Sequence, residues 1–144
     1  MKSVNSFSMS FLSRSSNESF ARTAVSAFAT QLDPTIEEIS DIKTAVSEAV
    51  TNCIVHAYRE KIGKIYINCS ILDDGSLKVT IKDKGQGIED IEQAMQPLYT
   101  SLGGERAGLC FAVMESFTDK IKVRSKVGKG TTVTLIKRIN SKDR

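Results

Sequence analysis

The sequence has few of the histidine and cysteine residues that form metal sites and disulfide bonds. Its 144 residues include one histidine, His56, and three cysteines with no CxxC spacing. A metal site built from histidine and cysteine is therefore not expected. Cys53 and Cys69 fall at apolar positions of a predicted helix and a predicted strand, so we expect both to pack in the core.

Long apolar runs and a strong charge of one sign are also missing. No stretch approaches the ~20 apolar residues that span a bilayer, and Met1-Lys2 is followed by serines rather than by the apolar run of a secretory signal. We therefore expect a cytoplasmic protein with no membrane contact. The 20 Lys and Arg against 17 Asp and Glu give a net charge of +3, too small to indicate nucleic-acid binding. The length predicts one domain over residues 1–144.

What the chain does have is a succession of helix and strand patterns. Alternating apolar and serine residues predict an edge strand within residues 1–14. Periodicity then predicts helices at 17–32, 35–58, 89–95 and 108–117, and strands at 64–72, 77–81 and around 121–123 and 133–135. Residues 96–106 contain Pro, Gly and small polar residues and predict a mobile loop. Together these elements predict an α+β sandwich, with helices on one face of a mostly antiparallel sheet.

Several details of the helices can also be predicted. Ser16 or Asn17 is a candidate cap of the first helix, and Thr35 with Glu38 matches a capping box at the second. The side chains of the last helix that we expect to face the core are Leu109, Ala112, Val113 and Phe117.

An ordered set of polar and glycine motifs indicates a nucleotide site. Glu48 and Asn52 are four residues apart in the second helix, so both side chains lie on one face, at the edge of its apolar stripe. Asp83 is in phase with the core face of its strand, which is costly unless a hydrogen-bonding partner such as a ligand amino group is present. Glycine turns follow at 85–87 and 128–130.

With these motifs the sequence resembles the GHKL superfamily of ATP-binding domains, which have the two-layer Bergerat fold with a mixed, mostly antiparallel sheet. Within it, the closest resemblance is to the sporulation anti-sigma factors that are serine kinases. The segments that carry it are 17–22, 31–35, 48–52 and 114–117, and the likeness extends over about residues 7–138.

The resemblance implies an activity, cofactors and partners. Such a protein inhibits a sporulation sigma factor and uses Mg²⁺ and ATP to phosphorylate a serine of a STAS-domain anti-anti-sigma protein. ADP would bind at the same site, and the family forms homodimers through the N-terminal strand region and the sheet. Direct nucleic-acid binding is not implied.

The resemblance also implies roles for single residues. Glu48 would be the general base, Asn52 the Mg²⁺ ligand beside the phosphates, and Asp83 the acceptor of the adenine amino hydrogen. Gly85 and Gly87 would let the backbone approach the base, and Thr131 would reach adenine. Gly104 to Gly108 would shape a phosphate lid, with backbone N–H groups at Gly108 and Leu109 facing the phosphates. Arg106 would pair with the γ-phosphate or with a partner protein, and Arg22 would bind a partner.

Some alternatives remain open. Cys110 stands where the family usually has a second lid glycine, which favours a nucleotide-gated module that sequesters sigma with little catalysis. A detached histidine kinase domain and a gyrase- or Hsp90-like ATPase fit less well, since the first lacks a dimerisation helix with a phosphoacceptor histidine and the second lacks a transducer domain. We interpret His56 as a packed or solvated side chain. Alternating basic residues at 120–126 are typical of a solvent-exposed sheet face, with an acidic docking partner as the second interpretation.

Overall fold

A computed structural model describes residues 2–95 and 104–139, with side chains from residue 110 onward in the second segment. Five strands form one sheet in the order β1-β2-β3-β5-β4, and all four pairings between the described strands are antiparallel. The strands are β1 (Ser3–Leu12), β2 (Lys64–Leu72), β3 (Ser76–Asp83), β4 (Lys120–Lys126) and β5 (Gly130–Arg138). The predicted α+β fold, an edge strand at the N-terminus included, is confirmed.

The β2–β3 hairpin shows how the sequence positions the candidate site. Alternate residues of β2 are buried, and a turn at Gly75, with φ of 87°, reverses the chain. In β3 the same period buries Leu77, Val79 and Ile81 and then reaches Asp83, which is 2% exposed. The predicted core phase of Asp83 is therefore confirmed.

Two long helices, α1 (Ser16–Ala29) and α2 (Ile36–Asn52), cover one face of the sheet. The capping box of α2 forms as predicted, because Thr35 Oγ1 accepts from the Glu38 N–H and the Glu38 carboxylate accepts from the Thr35 N–H. The predicted cap of α1 is wrong. Its flanking residue Ser15 makes no side-chain capping bond, and the Asn17 amide donates instead to the Leu12 carbonyl at 2.9 Å, which ties the helix to β1.

The first two predicted helices also change type near their ends. A 3₁₀ turn, Thr30–Leu32, ends the first helix, and Asp33 adopts a left-handed conformation with φ of 55°. After Asn52 the second helix continues as a π-helical turn, Cys53–Ala57, rather than as α-helix to Tyr58. Wider turns of this type are rare and are found mostly at functional sites.

The last helical region differs most from the prediction. A short helix α3 (Ile91–Ala94) is followed after the undescribed residues by α4 (Gly104–Ser116), which begins four residues earlier than predicted. Residues 104–106 are therefore helical rather than loop, and the predicted loop at 96–103 lies outside the described residues. The side chains that α4 buries are Cys110, Phe111 and Met114, whereas Phe117 is 36% exposed and Ala112 and Val113 are half-buried. The Leu109 side chain and the tail from residue 140 are likewise outside the description.

The opposite face of the sheet is open and polar, and its cations cluster on β3 and β4. Cross-strand pairing places Lys122, Thr134 and Thr80 in one row and Arg124, Thr132 and Lys82 in the next. The basic side chains of β4 are exposed, as the alternation predicted. Among the described helices none is long and apolar enough to cross a membrane.

Candidate functional site

Asp83 is the centre of the candidate site. It is the last residue of the central strand β3, and its side chain is buried on the core face of the sheet. Its Oδ1 accepts hydrogen bonds from the Gly85 N–H at 2.9 Å and from the Thr131 N–H at 3.2 Å. Burial raises the pKa of its carboxyl above the ordinary value of 3.8, while the hydrogen bonds from Gly85, Cys53 and Thr131 oppose that rise. Asp83 is therefore a buried acceptor that the backbone holds in a fixed orientation.

Cys53 is a second group on the Asp83 carboxyl, and its part there was not predicted. The expectation of core packing is confirmed for Cys53 and Cys69, which are 3% and 0% exposed. The Cys53 thiol, on the first residue of the π-helical turn, also hydrogen-bonds Asp83. Burial and the nearby Asp83 charge raise the pKa of Cys53 well above its ordinary value, so the thiol stays protonated and can donate.

The two glycines after Asp83 are required by close backbone packing. A Cβ at Gly85 would overlap the carbonyl of Ala57, and one at Gly87 would overlap the carbonyl of Lys126. Gly87 also has φ of 80°, a conformation that other residues rarely adopt. The segment is pinned further by Gln86, whose N–H donates to Ala57 O at 3.1 Å. The glycines thus let this loop lie between the end of the π-helical turn and the β4–β5 turn.

Thr131 and Ser125 extend the site across the sheet. Thr131 is 4% exposed and lies directly opposite Asp83 in the β3–β5 pairing. Ser125 lies opposite Thr131 in the β4–β5 pairing, with 2.7 Å between the two hydroxyl oxygens. Sequence reasoning missed Ser125, although it continues the inward alternation of Ile121 and Val123 and so carries the same signal that singled out Asp83.

Tyr58 is another residue that the sequence did not single out. Its hydroxyl donates to the Lys64 carbonyl and accepts from the Lys84 N–H at 2.7 Å, which joins the start of β2 to the residue after Asp83. Burial raises its pKa, so the hydroxyl remains a donor. A Cβ at Gly63 would overlap the Tyr58 ring, which explains a glycine at that position.

Glu48 and Asn52 lie one turn apart in the last part of α2, as predicted. Glu48 is half-buried and Asn52 is 5% exposed. The Asn52 Oδ1 is buried and has no hydrogen-bond partner within residues 2–95 and 104–139. An uncharged oxygen left in this way is costly unless a ligand completes its bonding. It is a suitable ligand for Mg²⁺, which prefers oxygen and keeps several waters or phosphate oxygens.

The predicted phosphate lid is only partly described. Gly104 to Gly108 form the first turn of α4. The first N–H groups of a helix have no acceptor within the helix, and here they belong to the start of this turn. They therefore come earlier in the chain than Gly108 and Leu109, where they were predicted. The Arg106 side chain is outside the description. Cys110, which the sequence analysis placed at a lid position, is 3% exposed and belongs to the hydrophobic core.

Arg22 lies on α1, an element that carries none of the other predicted site residues. Its Nε donates to Glu18 at 2.7 Å, one helical turn away, and its side chain is 38% exposed. The pair leaves a guanidinium at the surface in a defined orientation. His56 is half-buried in the π-helical turn, as expected for a packed histidine, and its carbonyl accepts from the Gln86 amide at 2.9 Å.

The comparison with protein families covers almost the whole chain. A model described as a histidine kinase-like ATPase domain matches residues 12–137. An anti-sigma F factor of Caldanaerobacter subterraneus subsp. tengcongensis is 61% identical over 142 residues, covering 96% of this chain and 97% of that protein. The anti-sigma F factor of Clostridium acetobutylicum is 53% identical, covering 93% and 94%.

Solved structures agree with the fold. The RsbU and RsbW domains of Rv1364c from Mycobacterium tuberculosis superpose with a TM-score of 0.68 over 94% of this chain and 32% of that chain, at 18% identity. The histidine kinase domain of a blue-light activated kinase from Erythrobacter litoralis gives a TM-score of 0.57 over 83% of this chain and 59% of that chain, at 20% identity. At these identities the likeness concerns the architecture, the helix-covered sheet described above. The anti-sigma F factors are more than 50% identical to this chain over nearly its full length. The chain therefore belongs to the anti-sigma F factor family and carries a histidine kinase-like, GHKL-type ATPase domain.

Proposed function

We propose that this protein is an anti-sigma factor and an ATP-dependent serine kinase. It would bind and inhibit a sporulation sigma factor, and would phosphorylate a serine of a STAS-domain anti-anti-sigma protein with Mg·ATP. The observation that carries the nucleotide part is the buried, backbone-held carboxyl of Asp83. The sigma partner is supported by the name of the relatives, which are anti-sigma F factors at up to 61% identity among those compared. Both partners would be met in the cytoplasm.

Adenine recognition follows from the chemistry of Asp83. A carboxylate only accepts hydrogen bonds, and the exocyclic amino group of adenine donates one. Guanine has an oxygen at that position, so it would place two acceptors against each other. A buried acceptor without its partner costs about 1–3 kcal/mol, which is enough to discriminate between the bases.

The phosphate end is supported by the second helix. Asn52 would present its unpaired Oδ1 to Mg²⁺, and the free N–H groups at the start of α4 would donate to phosphate oxygens. Bound Mg²⁺ neutralises charge on the phosphates. Arg106, in the same first turn, is proposed to pair with the γ-phosphate or with the partner protein.

Glu48 is proposed as the general base of the transfer. Its carboxylate would accept the proton of the attacking serine hydroxyl while the serine oxygen bonds to the γ-phosphorus. The bond between that phosphorus and the β,γ-bridging oxygen breaks, and ADP leaves with the bridging oxygen. Proton acceptance of this kind typically contributes ~10²–10⁴-fold to the rate.

The test is transfer of labelled γ-phosphate from Mg·ATP to the STAS-domain partner. Glu48→Gln keeps the size of the side chain and removes the base, so we expect transfer to fall ~10²-fold or more with ATP affinity nearly unchanged. Glu37→Gln, on the exposed first turn of the same helix, is the matched control and should retain full transfer. Equal rates in the two variants would contradict the role of Glu48.

The alternative is sequestration with little catalysis, which was suggested by Cys110 at the position of a lid glycine. The Cys110 side chain is part of the hydrophobic core, and this burial supports the kinase over the alternative. A wild-type protein that binds ATP and sigma without transferring phosphate would restore this alternative.

Partner binding is proposed at Arg22, and a homodimer through β1. Arg22 presents its guanidinium beside Glu18 on the exposed side of α1, where an acidic group of a partner can reach it. Among the described strands β1 pairs with β2 alone, and a second copy can pair with the backbone groups of its other edge.

A further inference from the structure

The outer face of β3, β5 and β4 concentrates positive charge in a chain whose net charge is small. Six cations project outward from β3 and β4, while no outward position of these three strands carries a carboxylate. The six are Lys78, Lys82, Lys120, Lys122, Arg124 and Lys126. The whole chain has a net charge of only +3, so the rest of the molecule contains more acidic than basic residues. The charge is therefore segregated onto one face.

The register of the three strands arranges these side chains along a groove over β5. Cross-strand pairing defines three rows, which are Lys78–Ile136–Lys120, Thr80–Thr134–Lys122 and Lys82–Thr132–Arg124. The β5 member of each row lies on the floor, and the groove has a volume of about 270 Å³. Neighbouring strands are about 4.8 Å apart and alternate residues of a strand about 6.8 Å apart. The cations of β3 and β4 therefore flank a channel about 10 Å wide and recur along it about every 7 Å.

The groove cations have no acidic partner within residues 2–95 and 104–139. The ion pairs in this part of the chain involve Arg22, Lys137 and Arg138. Asp119, which precedes β4, accepts instead from the Arg138 N–H at 2.7 Å, and Asp74 lies 3.7 Å from the Arg138 guanidinium. Like charges held close together repel one another, and an anion between the two rows of cations would relieve that repulsion.

We propose that this groove is a docking site for an extended acidic segment of a protein partner. An extended chain repeats its side chains about every 6.8 Å on one face, so Asp or Glu at every second position would meet successive rows. The threonine methyl groups and Ile136 offer apolar contact between the cations. The inference is independent of the proposed nucleotide site, because Asp83 and Thr131 are buried on the core face of the same strands.

Other occupants fit the groove less well. Proteins bind single-stranded nucleic acid by stacking its bases on aromatic rings, and no aromatic side chain lines the described groove. A membrane-binding face adds large apolar side chains that enter the lipid, whereas Ile136 on the floor is half-buried. A second copy of the chain would set cations against cations. An acidic polypeptide segment is thus the occupant that charge and shape favour together.

The experiment is fluorescence anisotropy of a labelled synthetic peptide with the full chain at low ionic strength. The peptide alternates Glu and Thr over about eight residues, long enough to span the three rows. We expect Lys122→Gln with Arg124→Gln to weaken its binding about three- to tenfold, the range for two exposed ionic contacts. Arg14→Gln with Lys43→Gln makes the same change in net charge at exposed positions outside the five strands. This matched control should bind like the wild type.

A second peptide and a second pair of substitutions sharpen the test. A peptide of the same composition with all its Glu in one block has the same charge without the alternation, and should bind about threefold or more weakly. Lys78→Gln with Lys120→Gln removes the cations of another row and should weaken the alternating peptide as the first pair does. Circular dichroism checks the fold of each variant. If one pair does not fold, the other pair decides the result.

Several outcomes reject the docking site. Equal weakening in the groove and control variants, or equal binding of the two peptides, would show an unspecific effect of charge. A wild type that does not bind the alternating peptide also rejects it, and leaves the proposed nucleotide site standing. Single-stranded RNA, a DNA duplex or anionic lipid vesicles could instead bind more tightly than the peptide at the same ionic strength. If that binding is lost in Lys122→Gln with Arg124→Gln, the groove belongs to that ligand and the acidic segment is rejected.

Discussion

At the scale of the residue, Asp83 is a carboxyl group whose charged form is poorly solvated. It is 2% exposed, and its Oδ1 takes two backbone hydrogen bonds. Those bonds fix its orientation but do not fully replace water, so its pKa remains raised in the folded chain. The cost of burying the charge is therefore present before a ligand arrives, as expected at a binding site.

The raised pKa predicts a pH dependence of stability. The folded chain holds the Asp83 proton more tightly than the unfolded chain does. The stability that protonated Asp83 contributes is therefore fully present below the ordinary pKa of 3.8 and is lost as the pH rises through the folded-state pKa. Relative to the wild type, the free energy of unfolding of Asp83→Asn should therefore increase as the pH rises above 3.8 and through the folded-state pKa. Urea unfolding at a series of pH values measures the difference.

An internal control with the opposite sign is available at Asp74. Hydrogen bonding from Ser76 lowers the pKa of Asp74, so its stabilisation is present above the unfolded-state value and is lost as the pH falls. Asp74→Asn should thus lose stability relative to the wild type at neutral pH and approach it in acid. The same pH trend in both variants would contradict the account of Asp83.

At the scale of the element, glycines let the backbone of three segments meet at Asp83. A Cβ at Gly130, where φ is 119°, would overlap the carbonyl oxygen of Asp83 itself. Gly128, in the same turn, has φ of 80° but nothing within 4 Å of the position of a Cβ. One glycine is therefore needed for both conformation and space, and the other for conformation alone.

The two glycines make a matched pair of variants. Gly128→Ala should lower the free energy of unfolding by about 1 kcal/mol, the cost of a left-handed conformation. Gly130→Ala should cost about 3 kcal/mol or more, because strain and overlap add. Denaturant unfolding compares them, and Gly130→Ala should also weaken ATP binding. Equal costs would show that the contact with Asp83 is not tight.

The strand periods predicted most of the framework, and the helix pattern predicted less. Alternation in β2 and β3 placed Asp83 on the core face because one face of each strand is buried against helices. It could have placed Ser125 in the same way. The predicted face of α4 was wrong at Phe117, and residues 109–114 are all apolar, so periodicity did not distinguish Ala112 and Val113 from the buried Phe111 and Met114. The contacts of Cys53 and Tyr58 depend on the π-helical turn and on long-range packing, which no local pattern encodes.

At the scale of the whole molecule, β1 forms one edge of the sheet, and no other strand of the described residues pairs with its outer side. β1 supplies ten residues, and it is held to the core through Phe7, which packs against Phe28 with ring centroids 4.8 Å apart, and through buried Phe11. Its outer edge is the natural place for a second copy to pair. Val4, 63% exposed, lies on this strand and contributes little to the core of one subunit.

A lysine on this edge should separate the dimer without unfolding the subunit. Lysine on an edge strand opposes pairing with another strand, so Val4→Lys should shift sedimentation from dimer to monomer. Val127→Lys, at a position 61% exposed in the β4–β5 turn, is the matched control and should remain dimeric. A monomeric wild type, or the same behaviour in both variants, would contradict the proposed interface.

The central claim, that Asp83 reads adenine, is tested most directly by calorimetric titration of ATP and GTP into the wild type, Asp83→Asn and the control Asp74→Asn, which lies at the opposite end of β3. The account predicts that the wild type and Asp74→Asn bind ATP at least about tenfold more tightly than GTP, and that Asp83→Asn loses ATP binding. ATP affinity retained in Asp83→Asn, or no preference for ATP in the wild type, would contradict it.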